Sequence, residues 1–184
     1  MSSKIDSKRD QGQDEDERTV DVVSPYFNEI ESFDNPETYP DLEFFVSGME
    51  KPLLLHRKIL AKTSEFLKTM LKERRDQKLE WPHDTSNERD RKALVKGLRF
   101  CYGETLNVST KGGECISTIG VLTRLQVTCL SDVMGLLTNF VEEEAKRKVE
   151  TGVELLKTCI GYKECCGSNQ NSLDKKLATI VLTN

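Results

Sequence analysis

Cysteine and histidine supply the side chains in this sequence that could bind a metal ion or act as nucleophiles. There are two histidines, His56 and His83, and six cysteines: Cys101, Cys115, Cys129, Cys159, Cys165 and Cys166. A zinc site needs four converging ligands, which usually arrive as close pairs such as C-x-x-C, and no such pair occurs here. Both histidines lie far from any cysteine in the sequence, which argues against a cysteine–histidine nucleophile. We therefore expect no metal site and reduced thiols that pack as small apolar groups.

The common catalytic motifs are also missing from the sequence. Lys111-Gly112-Gly113 lacks the G-x-x-x-x-G-K-[ST] spacing that cradles phosphates, and neither H-E-x-x-H nor G-x-S-x-G occurs. To act as a base, His56 would need a nucleophile and an orienting group, so we favour a structural histidine whose ring is bonded to backbone. The sequence predicts no enzyme and no cofactor.

The length allows one domain with flanking segments, or one domain and the start of a second. The chain has 184 residues, 36% of them apolar, and a formal net charge of −4. This charge does not suggest a general affinity for nucleic acid. No apolar run approaches the roughly 18 residues of a membrane span, and the charged N-terminus has no signal-peptide core. We expect an intracellular protein without a membrane partner.

Residues 53–71 have the clearest structural pattern. The apolar run Leu53–Leu55 predicts a buried strand, after which His56 and Arg57 begin a helical period. Ser64 is a suitable N-cap for a second helix. Its buried face is predicted to contain Phe66, Leu67, Met70 and Leu71. The stretch therefore predicts a strand, a tight corner and two short helices.

The chain ahead of this stretch divides into a tail, a helix and a strand. Residues 1–23 are rich in charged side chains and predict a disordered tail. Ser24 and Pro25 are suited to begin a helix. The apolar face of that helix would consist of Tyr26, Phe27, Ile30 and Phe33. Residues 42–47 alternate between inward and outward positions and predict a half-buried strand, which forms a hairpin with residues 52–55.

The rest of the chain predicts mainly helices. The predicted elements are a strand at 79–81, a helix at 88–102, a strand at 105–108, a helix from Ser109 or Thr110 to Leu125, and a helix from Leu130 to Val141. Residues 142–184 predict a helical extension in which Ser172 caps the last helix. The apolar face of that helix either folds back on residues 149–160 or belongs to a longer protein.

The order of these elements and one central motif resemble BTB/POZ domains. The family signature reads roughly as an aspartate, a strand and then H-R-x-x-L-A-x-x-S-x-x-F. The matching residues are Asp41, His56, Arg57, Leu60, Ala61, Ser64 and Phe66. Residues 98–108, LRFCYGETLNV, are similar to a second family segment. The resemblance implies an α+β fold at residues 24–141, a small sheet flanked by a helical bundle, with extra C-terminal helices where many relatives begin a BACK domain.

The resemblance also implies a function, that of a protein–protein interaction module that forms homodimers. It places Asp41, His56 and Arg57 in a charged pocket near the dimer interface, where each charge needs a partner. The alternative is a pair of exposed charges that never meet. The resemblance places the helix at residues 24–33 against a dimer partner, while a helix packed on its own domain is the equal alternative. The outer face around Phe45 would join the interface.

Two further roles follow from the same family. An adaptor of a cullin-type ubiquitin ligase would bind a cullin scaffold and an unknown substrate protein. The cullin contact of the family, an apolar residue and a glutamate two positions later, would fall on Leu71 and Glu73, which lie earlier than usual. A tetramerisation module of the potassium-channel type would bind zinc, but Cys165 and Cys166 match only part of that motif.

Overall fold

The fold is a mixed α+β arrangement of small sheets and helices, as the sequence predicts. The computed structural model describes residues 18–74, 76–161 and 168–183, so the predictions for residues 1–17, Cys165 and Cys166 lie outside the described residues. The strands are β1 (Thr19–Val22), β2 (Leu42–Phe45), β3 (Leu53–Leu55), β4 (Lys78–Glu80) and β5 (Leu106–Ser109). The helices are α1 (Arg57–Thr63), α2 (Glu65–Glu73), α3 (Glu88–Cys101), α4 (Glu114–Leu125), α5 (Leu130–Arg147), α6 (Val149–Gly161) and α7 (Ser168–Thr183).

Three strands form one sheet in the order β3-β2-β4. β2 and β3 are antiparallel, with Leu42 opposite Leu55, and form the predicted hairpin. β4 lies parallel to β2, with Leu79 beside Phe44, because α1 and α2 carry the chain across to the other edge of β2. Leu42 and Phe44 are at most 2% exposed, so the predicted alternation in this strand is confirmed.

A second, two-stranded sheet lies where the sequence predicted a tail. β1 pairs antiparallel with β5, and Thr19 lies opposite Ser109. The prediction that residues 1–23 are disordered is therefore wrong for residues 19–22. Val20 and Val22 give the strand an apolar side, and Val22 is only 2% exposed. Two apolar residues in alternation were enough for a strand here because β5 supplies the backbone partners.

The segment between β1 and β2 is not the predicted helix. Within residues 24–33, only Ile30–Ser32 forms a turn of 3₁₀ helix. Ser24 does not cap a helix, because its hydroxyl donates to Phe100 O at 2.9 Å and accepts from the Tyr26 amide at 3.3 Å. These bonds hold the segment against α3 in place of the bonds that a helix would make.

The helical part of the core is built around α4, which is buried along most of its length. α4 begins at Glu114, after a 3₁₀ turn at residues 111–113, and not at the predicted caps Ser109 or Thr110. It packs closely on α3 at Gly97, where an added Cβ would lie 3.1 Å from side-chain atoms of both Val121 and Leu125. Glycine at this position therefore sets how near the two helices approach.

The C-terminal helices fold back on the domain. α7 contacts both α5 and α6, and Leu173, Leu177 and Ile180 are at most 8% exposed. The apolar face of the last helix is therefore covered within this chain, although α7 begins at Ser168 and not at Ser172. No helix in the described part of the chain is long and apolar enough to cross a membrane.

A buried carboxylate joins this helical extension to the N-terminal strand. Glu144 of α5 is 2% exposed and pairs with Arg18 and Arg147, each at 2.9 Å. A buried charge needs such partners, because an unpaired one is strongly destabilising. Since α5 continues to Arg147, the helix itself crosses the predicted domain boundary at residue 141.

Replacing Gly135 by alanine should stabilise the protein. Gly135 lies inside α5, where glycine costs up to about 1 kcal/mol relative to alanine, and an added Cβ there meets nothing within 4 Å. We expect Gly135→Ala to raise the free energy of unfolding in urea by about 0.5–1 kcal/mol. The control is Gly97→Ala, whose Cβ would press on Val121 and Leu125. Equal gains from both variants would contradict the close packing of α3 on α4.

Candidate functional site

The signature residues meet at the corner between β3 and α1. Asp41 Oδ1 accepts a hydrogen bond from the backbone amide of Arg57 at 2.8 Å. The carboxylate therefore caps the first turn of α1, where helix amides lack partners and favour negative charge. Asp41 and Arg57 do meet, but through an amide and not through the guanidinium.

The Arg57 guanidinium binds the far end of α2. Nη1 donates to Asp76 O at 2.7 Å, and Nη2 donates to Leu71 O at 2.9 Å and to Arg74 O at 2.6 Å. The last carbonyls of a helix have no partners within the helix, and the planar fork of arginine can satisfy several of them. The charge of Arg57 thus fixes the end of α2 and the turn that leads into β4.

His56 is held by the buried Tyr102. The His56 amide donates to Tyr102 Oη at 2.7 Å, Nδ1 lies 3.3 Å from the same hydroxyl, and Nε2 lies 3.0 Å from Thr38 O. A carbonyl can only accept, so Nε2 carries the hydrogen and Nδ1 accepts from the hydroxyl. Burial raises the pKa of Tyr102, which keeps that hydroxyl protonated. The predicted bond from the ring to backbone is confirmed, and both ring nitrogens of His56 have partners within the domain.

The same tyrosine anchors residues 24–33. The Glu29 amide donates to Tyr102 O at 2.7 Å, and the Phe33 ring packs edge-on against Tyr102 with centroids 5.3 Å apart. At the next residue, Gly103 has φ +94°, and an added Cβ would lie 2.7 Å from Asn28 Cα. Glycine is therefore required here twice, for the backbone conformation and for the close approach.

The four residues of the predicted interface helix do not share one face. Tyr26 points inward, since its hydroxyl donates to Thr63 O at 3.2 Å and also bonds Thr128 Oγ1 at 2.8 Å. Ile30 and Phe33 pack partly buried against the core. Phe27 is the exception, with 83% of its surface exposed. Of the four, Phe27 therefore offers the most surface to a partner.

Other exposed apolar side chains were missed from the sequence. Val23 is 77% exposed and Tyr39 is 90% exposed. Tyr39 directly follows the 3₁₀ turn at residues 36–38, and its φ of +56° lies in the left-handed region. No sequence pattern indicated this backbone conformation. Phe45, which was predicted on the outer face of β2, is 36% exposed, with the Lys78 ammonium 5.9 Å from its ring centroid.

The two residues proposed for a cullin contact lie in different environments. Leu71 is only 7% exposed and packs in the core, so its side chain offers almost no surface to a partner. Glu73 is exposed at the end of α2. A contact that needs both side chains would require Leu71 to leave the core.

Most of the cysteines in the described ranges are buried. Cys101, Cys115 and Cys159 are buried and Cys129 is intermediate. Burial raises the pKa of Cys101 and Cys115 to about 12 from the ordinary value of 9.0, so both are neutral thiols at physiological pH. The contribution of these thiols to stability is full below pH 9 and falls as the pH rises toward 12. Among the described residues, no group of three or more potential ligands could hold a metal ion.

A comparison with models of known protein families assigns residues 30–137 to one family. A model of the BTB/POZ domain family matches residues 30–137, more than half of the chain. The match runs from the 3₁₀ turn before β2 to the middle of α5 and includes Asp41, His56 and Arg57. No curated protein matches this sequence.

Removing the Arg57 guanidinium should destabilise the end of α2. We expect Arg57→Ala to lower the free energy of unfolding by about 1–3 kcal/mol, because three backbone carbonyls lose a charged donor. Hydrogen exchange of the amides at residue 74 and residues 76–78 should become faster. Lys58→Ala removes the neighbouring exposed cation and should leave both quantities nearly unchanged. Equal stability of the two variants would contradict the structural role of Arg57.

Thiol labelling should separate Cys129 from the buried cysteines. We expect iodoacetamide to modify Cys129 in the native protein, while Cys101, Cys115 and Cys159 react only after denaturation, because burial protects them. Peptide mass spectrometry would locate the modified residues, with protein in guanidinium as the fully reactive control. Modification of Cys115 in the native protein at the rate of Cys129 would show that α4 is not buried.

Proposed function

Because this chain belongs to the BTB/POZ family of protein–protein interaction domains, we propose that it pairs with a second copy of itself through residues 23–33. We assign it no catalytic role. The observation that supports this proposal is the exposure of Phe27 and Val23, 83% and 77%, on a segment that is otherwise bonded to its own domain. We call the outward side of residues 23–33 the N-terminal face.

Aromatic residues are enriched in protein–protein interfaces, so an exposed aromatic side chain indicates an interaction surface. Burying a phenylalanine side chain contributes about 1.5–3 kcal/mol. In a two-fold symmetric dimer each copy contributes the same patch, so one exposed residue is buried twice. A stable interface buries on the order of 1,600 Å², so surface beyond Phe27 must take part. The partly exposed Phe45 is one source of such surface.

The rigidity of the N-terminal face also supports pairing. Ser24 bonds to Phe100, Tyr26 bonds to Thr63, and Glu29 bonds to Tyr102, so the backbone on either side of Phe27 is already fixed. A side chain on a fixed backbone loses less conformational entropy on association. Phe27 would therefore bind a partner without the segment having to order first.

The other roles implied by the family have less support in this chain. An adaptor that contacts a cullin through Leu71 and Glu73 would have to expose the buried Leu71 side chain. A tetramer would have four times the mass of the 20.9 kDa chain, whereas the proposed dimer has twice that mass. A mass measurement in solution therefore distinguishes the tetramer from the dimer.

Charge at Phe27 should prevent the dimer from forming. We expect light scattering to give twice 20.9 kDa for the natural chain and 20.9 kDa for Phe27→Glu, because the carboxylate would be desolvated in the interface. The control is Leu182→Glu on α7. The Leu182 side chain is 85% exposed, which matches the 83% exposure of Phe27. It introduces the same charge and should remain a dimer. A natural chain that is monomeric at all concentrations would overturn the proposal, as would a Phe27→Glu variant that remains dimeric.

A further inference from the structure

A groove with basic walls lies along the first turns of α3. We call it the α3 groove; α3 forms one side, Met49 of the β2–β3 turn lies at its edge, and Lys111 and Glu114 come from the start of α4 and the turn before it. Its volume is about 830 Å³, far more than a single small anion fills. Met49 and Val95 are partly buried apolar side chains that line the groove.

The charge of the groove is opposite to that of the whole protein. Its basic lining residues are Arg89, Arg91, Lys92, Lys96 and Lys111, and its acidic lining residues are Glu88 and Glu114. The surplus of positive charge stands out because the chain as a whole has a net charge of −4. Such a local surplus attracts negatively charged groups to this surface.

The basic side chains are partly positioned before any ligand arrives. Arg91 Nη1 donates to Thr85 O at 2.9 Å and to Ser86 O at 2.6 Å, which fixes its guanidinium at the groove edge. Lys92 pairs with Glu88 at 2.7 Å, and this pair is highly exposed, with 72% and 70% of the two side chains accessible. Exposed pairs of this kind contribute little to stability, so a ligand carboxylate could replace Glu88 at little cost.

We propose that the α3 groove binds an acidic segment of a partner protein, in which Asp or Glu side chains alternate with apolar ones. The carboxylates would meet Arg89, Arg91 and Lys92, and the apolar side chains would cover Met49 and Val95. A nucleic acid fits less well, because its backbone has no apolar side chains to cover Met49 and Val95 and because the whole chain is acidic.

This binding does not depend on homodimerisation. No residue of the groove lies within residues 23–33. The monomeric Phe27→Glu variant should therefore bind the acidic segment as tightly as the natural chain does. Failure of the dimer proposal would leave this result unchanged, so the two proposals can be overturned separately.

Fluorescence anisotropy with a labelled synthetic peptide tests the proposal. The probe is a short peptide in which single Asp or Glu residues alternate with leucines, added to the whole 184-residue chain. We expect saturable binding that weakens as salt is added. Replacing Arg89 and Lys92 by glutamate should weaken it about tenfold, since two attractive contacts become repulsive. The same peptide with Asn and Gln in place of Asp and Glu should not bind.

The matched control reverses two charges elsewhere. Lys157→Glu with Lys175→Glu makes the same change in net charge on exposed positions of α6 and α7, and it should leave the affinity within about twofold of the natural chain. An equal loss in this control, or no binding of the acidic peptide to the natural chain, would overturn the proposal.

Two other occupants are tested in the same assay. Residues 14–17 of this chain read Asp-Glu-Asp-Glu. Peptide binding that appears only when these four residues are changed to Asn and Gln would assign the groove to the chain's own N-terminal run and overturn the proposal of a partner segment. A single-stranded RNA that binds as tightly as the peptide, and is lost in the same groove variant, would assign the groove to polyanions in general and would also overturn it.

Discussion

Tyr102, at the end of α3, joins the corner between β3 and α1 to the N-terminal segment. Its hydroxyl receives the His56 amide, which fixes the corner from β3 into α1. Its carbonyl receives the Glu29 amide, and its ring packs against Phe33, which fixes the N-terminal segment. A fully buried hydroxyl needs such partners, because an unsatisfied polar group in the core costs about 1–3 kcal/mol. The side chain and backbone of this one residue therefore fix both the corner between β3 and α1 and the N-terminal segment.

The signature residues of the family act here as backbone caps. Asp41 satisfies an amide at the start of α1, and Arg57 satisfies carbonyls at the end of α2. These two charged side chains hold α1 and α2 in place against the sheet. Helices of this length need such bonds, because they are only marginally stable on their own. The chemistry of the corner is thus structural, and the surfaces that we propose for partners are the N-terminal face and the α3 groove.

The sequence was most informative where a local pattern and a tertiary contact agree. The hairpin, the cap at Ser64 and the amphipathic helices follow from alternation, helical spacing and capping chemistry, and the structure confirms them. The helix predicted at residues 24–33 is wrong, because Ser24 and Pro25 are typical of a helix start. In the structure this segment is held instead by Phe100, Tyr102 and Gly103, which are distant in sequence. β1 was missed for a similar reason, since its pairing with β5 is a long-range contact.

The same limit applies to the candidate site. Asp41, His56 and Arg57 could be singled out from the sequence, but their partners are carbonyls and amides, which every residue has. No pattern of side chains reports that Arg57 reaches the end of α2. The exposure of Phe27, with Tyr26 turned inward beside it, likewise follows from backbone geometry that spacing does not reveal.

Hydrogen exchange as a function of protein concentration tests the central claim most directly. The amides of residues 23–33 should exchange more slowly as the concentration rises, because a second copy covers the N-terminal face. The amides around Leu182 on α7, where the chain is also exposed, should not change. Exchange at residues 23–33 that is independent of concentration, or protection that appears on α7 instead, would contradict the account.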